Sequence, residues 1–388
     1  TYLLFLLITI QFSTHANSSD WTWHGFIAQG VIQVNDSNFV EADEELSFKL
    51  TEIGLNTAYQ INPSFRVAAQ ASYLNSGNRY EEGVRLDYLF LDWTAYTTLD
   101  WQVNVYLGRF KNQHWLYSAT RDVPFTRPSI VLPQSVYFDG FRDIAVGSDG
   151  LAIGITNSNH LGEFEFNWSY GSSPVSKKQS QLLLSKQAAG DVEQEYVNQA
   201  SAFWQPTLSQ WRLGVSFVDS EFSYDSIPGD FFAESDFKLQ RSMLIANYSG
   251  EFIEFATEVF QERFVVDGFY QPQFHNDQLG QGAFAQFQYK YSPEIKLTAR
   301  YDYFDLNKDD RDGKTLHALS GGTVPKYFAY HRDFLVGVSF DVAPNIRIQA
   351  EYHAVQGSAR LTPVVLPDVD ANNKKNWDFW AVQVMYWF

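Results

Sequence analysis

Much of this chain alternates apolar and polar side chains in short runs. In 65–74, Phe65, Val67, Ala69, Ala71 and Tyr73 interleave with Arg66, Ala68, Gln70 and Ser72. In 295–305, Ile295, Leu297, Ala299, Tyr301 and Tyr303 face away from Lys296, Thr298, Arg300 and Asp302. In 346–357, Ile346, Ile348, Ala350, Tyr352 and Ala354 alternate with Arg347, Gln349, Glu351 and His353. A period of two is the signature of a β-strand with two unlike faces. The pattern predicts about sixteen strands, near 22–35, 46–60, 65–74, 84–97, 101–110, 149–156, 163–170, 195–205, 211–219, 237–248, 251–262, 282–291, 295–305, 333–341, 346–357 and 377–388.

Two kinds of connection separate these segments, and they alternate. One kind is a tight turn, as at 62–64, 98–100 and 292–294. The other is long, polar and acidic: 36–45, 74–83, 111–148, 171–194, 220–236, 263–281, 306–332 and 358–376. An even number of strands with short turns at one end and long loops at the other predicts an all-β chain, a transmembrane antiparallel β-barrel. Aromatic residues flank most of the tight turns: Tyr59 and Phe65, Trp101, Phe164, Trp204 and Trp211, Tyr248 and Phe252, Tyr289 and Tyr291, Phe340, Trp387 and Phe388. A ring of aromatics at one height is expected where a membrane meets water.

The last segment, WDFWAVQVMYWF, carries apolar residues in both registers, with Phe388, Tyr386, Val384, Val382 and Trp380 in one. It is expected to pair with the first segment, WTWHGFIAQGVIQV, so that no sheet edge is left in lipid, where unpaired backbone groups are very costly. Its polar minority is expected to face water inside.

Composition narrows this picture. Aromatic residues are 17% of 388, yet the mean hydropathy is −0.27 and the formal net charge −17. The acidic balance excludes nucleic acid as a partner, since phosphate attraction needs a basic surface. The absence of Cys excludes thiol catalysis, disulfides and thiolate metal sites. The opening stretch TYLLFLLITIQFSTHA reads as the remnant of a secretory signal over 1–16, leaving a barrel domain over 17–388.

The terminal Phe388 on an alternating aromatic strand resembles the assembly signal of Gram-negative outer-membrane proteins, and the strand count resembles the sixteen-stranded trimeric porins. In that family the long loop after the fifth strand folds into the barrel and narrows the pore. Here WQVNVYLGRF is followed by the longest connection in the chain, whose core TRDVPFTRPSIVLPQSVY is similar to porin-like proteins of marine proteobacteria. The resemblance implies a homotrimer in outer-membrane lipid and lipopolysaccharide, assembled by the barrel-assembly machinery, passing small solutes without a cofactor. A weaker likeness to anion-selective and phosphate-selective porins is also present.

Sixteen strands enclose room for a water-filled channel. The expected constriction is the infolded loop, with Lys111, Arg121, Arg127 and Arg142 opposed to Asp122, Asp139 and Asp143. Inward-register bases gather near the tight turns: Arg66, Arg212, Lys290, Lys296 and Arg347, with Arg300 further along. These either form a basic belt favouring anions or pair with neighbouring acids and stiffen the wall. A weak anion preference is expected from Arg66, Arg300 and Arg347 acting with the loop arginines. External acids such as Glu44, Glu45, Glu81, Glu82, Asp309 and Asp310 are mainly solvated. No metal site is expected: KDDRDGKTLHAL fails as a calcium loop, with Lys308 at its first ligand position and Leu319 at its last. No GxSxG or HExxH motif or phosphate-binding loop is present, so no enzyme is expected, and His24, His114, His331 and His353 fit wall or loop positions without a chemical task.

Overall fold

The computed structural model describes residues 20–41, 44–145 and 147–388. The predicted signal remnant over 1–16 lies outside the described residues. The strands are β1 (Trp21–Asn35), β2 (Thr51–Asn62), β3 (Phe65–Asn75), β4 (Gly83–Thr97), β5 (Trp101–Lys111), β6 (Gly147–Asn159), β7 (Gly162–Ser172) and β8 (Asp191–Pro206). They continue as β9 (Trp211–Asp225), β10 (Ser235–Ser249), β11 (Ile253–Gly268), β12 (His275–Lys290), β13 (Ile295–Asp305), β14 (Tyr330–Ala343), β15 (Ile346–Gln356) and β16 (Asn376–Trp387). Each pairs antiparallel with its sequence neighbour, and β1 pairs with β16 to close a sixteen-stranded barrel. The seam is in register from Phe26 opposite Trp387 to Asn35 opposite Asp378. Phe388 extends it, exchanging backbone hydrogen bonds of 3.0 Å with Gly25. Its ring lies so close that a Cβ on Gly25 would sit 2.5 Å from it, which is why that position has no side chain.

The outward register is apolar and uncovered: Val84 is 81% exposed and Leu244 64%, with Ile27, Leu55, Phe166, Phe217, Phe334 and Val384 also exposed. A continuous belt of this kind would be untenable in water and is what lipid solvates. Paired aromatics edge it beside the tight turns: Phe65 stacks on Trp93 at 6.0 Å and Phe164 on Trp204 at 6.1 Å, and Trp211 meets Tyr248 tilted at 5.1 Å.

Two details depart from the sequence expectation. The long polar connections at 220–236 and 263–281 shrink, because β9 to β12 run on as paired ribbons past the apolar belt. There Arg263 and Asp277, opposite-signed residues on neighbouring strands, bond at 2.6 Å, and charged pairs of this kind sustain a sheet without an apolar face. The inward register of β16 is not a polar minority facing water. Trp377, Phe379, Ala381 and Met385 are buried in a cluster or beneath loops, and Trp387 stacks on Phe125 at 4.6 Å instead of joining the aromatic ring. Residues 112–145, in the connection after β5, fold into the barrel and bring the apolar side chains that cover them.

Candidate pore constriction

The inward loop begins where β5 ends, and Gly108 prepares the bend three residues earlier. Its φ is +114°, and a Cβ there would meet Leu89 O at 2.6 Å, so glycine alone fits. Asn112 then donates to Gln199 at 2.8 Å, and the His114 ring lies between Ser169 Oγ at 2.8 Å and Ser201 Oγ at 3.0 Å. Among the described residues no carboxylate contacts this imidazole.

From there the loop travels round the wall, and inward-facing acids hold it. Glu258 on β11 accepts from Leu116 N at 2.9 Å, and Asp302 on β13 accepts from Ser135 N at 3.1 Å. Glu351 on β15 accepts from Ile130 N and Val131 N at 2.8 and 2.9 Å. Glu52 on β2 takes both terminal nitrogens of Arg127, at 2.5 and 3.1 Å. Arg300 on β13 works in the opposite sense, donating to Ser129 Oγ at 2.7 Å and to Val131 O at 2.9 Å. Between these anchors Ile130 and Val131 pack on Ile32, Phe379 and Ala381, while Leu132, Val136 and Tyr137 pack on Met243, Phe260, Phe284 and Phe304.

The predicted constriction residues therefore meet one another directly instead of facing across a gap. Asp122 accepts from Arg142 at 2.6 Å and lies 3.4 Å from Lys111, and Asp139 binds Arg79 at 2.7 Å and Arg121 at 3.0 Å. Burial pushes the Asp122 carboxyl up, but Lys111 and Arg142 outweigh it and hold the group well below the usual carboxylate range. The same balance, between burial on one side and Arg79 and Arg121 on the other, lowers Asp139. The Asp143 side chain lies outside the described residues.

Below the loop, toward the tight turns, is a cavity of about 310 Å³ whose lining includes Arg127, Gln288, Lys296, Arg347, Gln349 and Glu254. Two of the six predicted wall bases, Lys296 and Arg347, line this cavity, and four of the six are held against an acid: Arg66 with Asp92 at 2.9 Å, Arg212 with Glu165 at 2.7 Å, Lys290 with Glu254 at 2.7 Å and Arg347 with Asp341 at 2.5 Å. Arg347 also reaches up to Phe125 O at 2.8 Å. Lys296 has no ion-pair partner among the described residues and lines the cavity. Arg300 is separated from this group, being 1% exposed beneath the loop. Above the loop, the connection between β15 and β16 forms a roof. Arg360 donates to Ser135 O at 3.0 Å, and Val364, Val365 and Leu366 donate backbone hydrogen bonds to Leu183 O and Leu184 O at the end of the short helix Lys177–Leu183.

A sixteen-stranded wall, a loop after the fifth strand turned into the lumen and a lipid-facing exterior occur together here. The chain has the fold of an outer-membrane β-barrel. Three solved structures share that fold. OmpT of Vibrio cholerae matches with TM-score 0.59 and 10% identity over 95% of this chain and 97% of that one. An anion-selective porin from Comamonas acidovorans matches with TM-score 0.58 and 11% identity over 95% and 99%. Salmonella typhi OmpF in complex with daunomycin matches with TM-score 0.57 and 10% identity over 95% and 97%. No protein-family model and no curated protein matches the chain. Together with its apolar belt, the fold places the barrel in an outer membrane.

Sequence reasoning sought bases for the lumen and passed over the acids. Glu52, Glu258, Asp302 and Glu351 carry the loop, and an acid in the inward register of a membrane strand was the signal available.

His114 makes one anchor sensitive to pH. Burial pushes its imidazole down to about 4, from an ordinary value near 6.5. The stabilisation from the neutral ring is thus complete above about 6.5 and is lost as pH falls toward 4, by up to about 3 kcal/mol. Thermal unfolding of the detergent-solubilised barrel is expected to fall across that window, and the His114→Gln variant to show a shallower fall. Parallel profiles for the two proteins would refute this role.

Proposed function

We propose that the barrel is a porin, a channel for passive diffusion of small hydrophilic solutes and ions, and not an enzyme. The observation that carries this reading is the loop after β5, held inside the lumen over a cavity lined by charged and amide side chains. A barrel kept only as a scaffold has no need of a polar path beneath its inward loop. The roof formed over the loop by residues 360–366 favours a narrow, solute-selective form of this activity over a wide general pore.

Selectivity in this reading is a weak anion preference set at the cavity. Of its charged groups, Arg127 and Arg347 are bound to Glu52 and Asp341 and Glu254 is bound to Lys290, which leaves Lys296 as the charge offered to a permeating ion. Single channels in planar bilayers under a salt gradient are expected to reverse on the chloride side, and Lys296→Gln to move the reversal potential toward zero. A wild-type channel preferring potassium, or an unchanged potential in the variant, would remove Lys296 from this role; a protein forming no channels would remove the porin reading.

We further infer a trimer. Arg109 and Asp149 form a bidentate pair, both bonds 2.7 Å, on the outer face of β5 and β6. Charge on the lipid face is costly within the hydrocarbon. A subunit contact over β4 to β6, where YLFLDWTAY also presents apolar residues outward, shelters the pair. Phe388 is read as the assembly signal, its place at the seam being the last link of the ladder.

A further inference from the structure

Three neighbouring buried side chains on the inner wall carry polar atoms with no hydrogen-bond partner among the described residues. Asp302 on β13 stands directly opposite Asp333 on β14, and His331 is two residues from Asp333, hence on the same inward face. One donor atom from each of the three lies within 4.8 Å of the other two. Asp302, His331 and Asp333 are 0%, 2% and 3% exposed. Yet among the described residues Asp302 Oδ1, Asp333 Oδ1 and both ring nitrogens of His331 have no hydrogen-bond partner, His331 Nε2 lying 3.9 Å from Asp302 Oδ2. Each such buried orphan is destabilising, and more so when charged.

The remaining oxygens of the two acids are committed elsewhere. Asp302 Oδ2 accepts from Ser135 N at 3.1 Å, and Asp333 Oδ2 bonds His353 Nδ1 at 2.8 Å, whose Nε2 lies 3.1 Å from Glu351. Each carboxylate is thus oriented by a second partner while one oxygen stays free, the arrangement that outer hydrogen bonds give to metal ligands.

We propose that Asp302, His331 and Asp333 bind a divalent first-row transition-metal ion, with Zn²⁺ as the principal candidate. One imidazole with two carboxylates suits a borderline ion that accepts few ligands, whereas Ca²⁺ takes six to eight oxygens and Mg²⁺ keeps several waters. Donors about 2.1 Å from a tetrahedral ion stand about 3.4 Å apart, so binding draws this set slightly inward. Because Asp302 also carries Ser135, the ion ties the two strands to the inward loop. This site does not depend on channel activity.

The loop and roof cover the site, so the test refolds the full-length barrel from denaturant with Zn²⁺, removes loosely held metal with a chelator and counts zinc per chain by mass spectrometry. The expected result is one zinc per chain, absent in His331→Gln and Asp302→Asn and retained in His275→Gln, whose histidine sits at the rim against Asp267. Zinc should also raise the thermal unfolding temperature of the wild type and not of the two site variants. Cobalt-loaded wild type supplies a readout that no variant's folding affects: visible absorption of a low-coordinate site with a nitrogen ligand is expected. Clearly substoichiometric zinc in the wild type, equal zinc in His331→Gln, displacement of zinc by equimolar Ca²⁺ or the weak spectrum of an all-oxygen octahedral cobalt site would each overturn the proposal.

Discussion

Deletion of residues 121–136 is expected to raise the single-channel conductance several-fold and to admit larger sugars. This segment supplies Arg127, Ile130, Val131, Leu132, Ser135 and Val136, the groups that fasten the loop to β2, β13 and β15 and fill the lumen beside them. With the segment gone, Glu52, Asp302 and Glu351 lose their partners in the loop, but they then face water and are solvated instead of stranded. The apolar patch formed by Ile32, Phe379 and Ala381 is also uncovered, and stability falls, since each buried side chain of this kind is worth about 1.5–3 kcal/mol. The expected combination is a wider channel in a less heat-resistant barrel. Unchanged conductance measured in planar bilayers would mean that the path for ions lies elsewhere.

Glu52→Gln is expected to release the loop without shortening it. Glu52 is 1% exposed, holds Arg127 at 2.5 Å and lies 4.0 Å from Arg142. Removing one partner of a buried pair leaves the other charge uncompensated and costs about 3–5 kcal/mol. The amide keeps the shape and some hydrogen bonding, which places the loss at the lower end. The folded wild type should resist trypsin at Arg121, which is buried, while the variant is cut after it and unfolds at lower temperature. Equal resistance of the two proteins to trypsin would show that Glu52 is not the anchor.

Alternation made the wall legible, and it did so best where one face meets lipid. Ile295 to Tyr303 and Ile346 to Ala354 are read correctly because every outward position is apolar and every inward one is polar or small. The ribbon ends of β9 to β12 were read as loop because a strand leaving the membrane no longer needs an apolar face, and Arg263 and Asp277 look like loop residues until their pairing is known. The location of the inward loop was legible from its length and its place after the fifth strand. Its chemistry was not. Charges at Arg121, Asp122, Asp139 and Arg142 read as groups facing a pore, whereas their separation along the chain hides that they bond to each other and to Arg79. Nor does a single sequence reveal that Asp302, His331 and Asp333 converge, since β13 and β14 are joined by a connection of twenty-four residues, 306–329.

The apolar inner register of β16 bears on the order in which this protein takes shape. Ile130 and Val131 share one buried cluster with Phe379 and Ala381, and those two loop residues belong to a segment roughly midway between the fifth and sixth strands. A cylinder zipped shut around an empty lumen would hold a greasy stripe against trapped water, with the loop barred from reaching it except through the mouth. The lower-energy sequence of events has the loop tucked against the growing sheet first and the final strand curling over it. In that order of events the loop would serve as a mandrel on which the wall is wound.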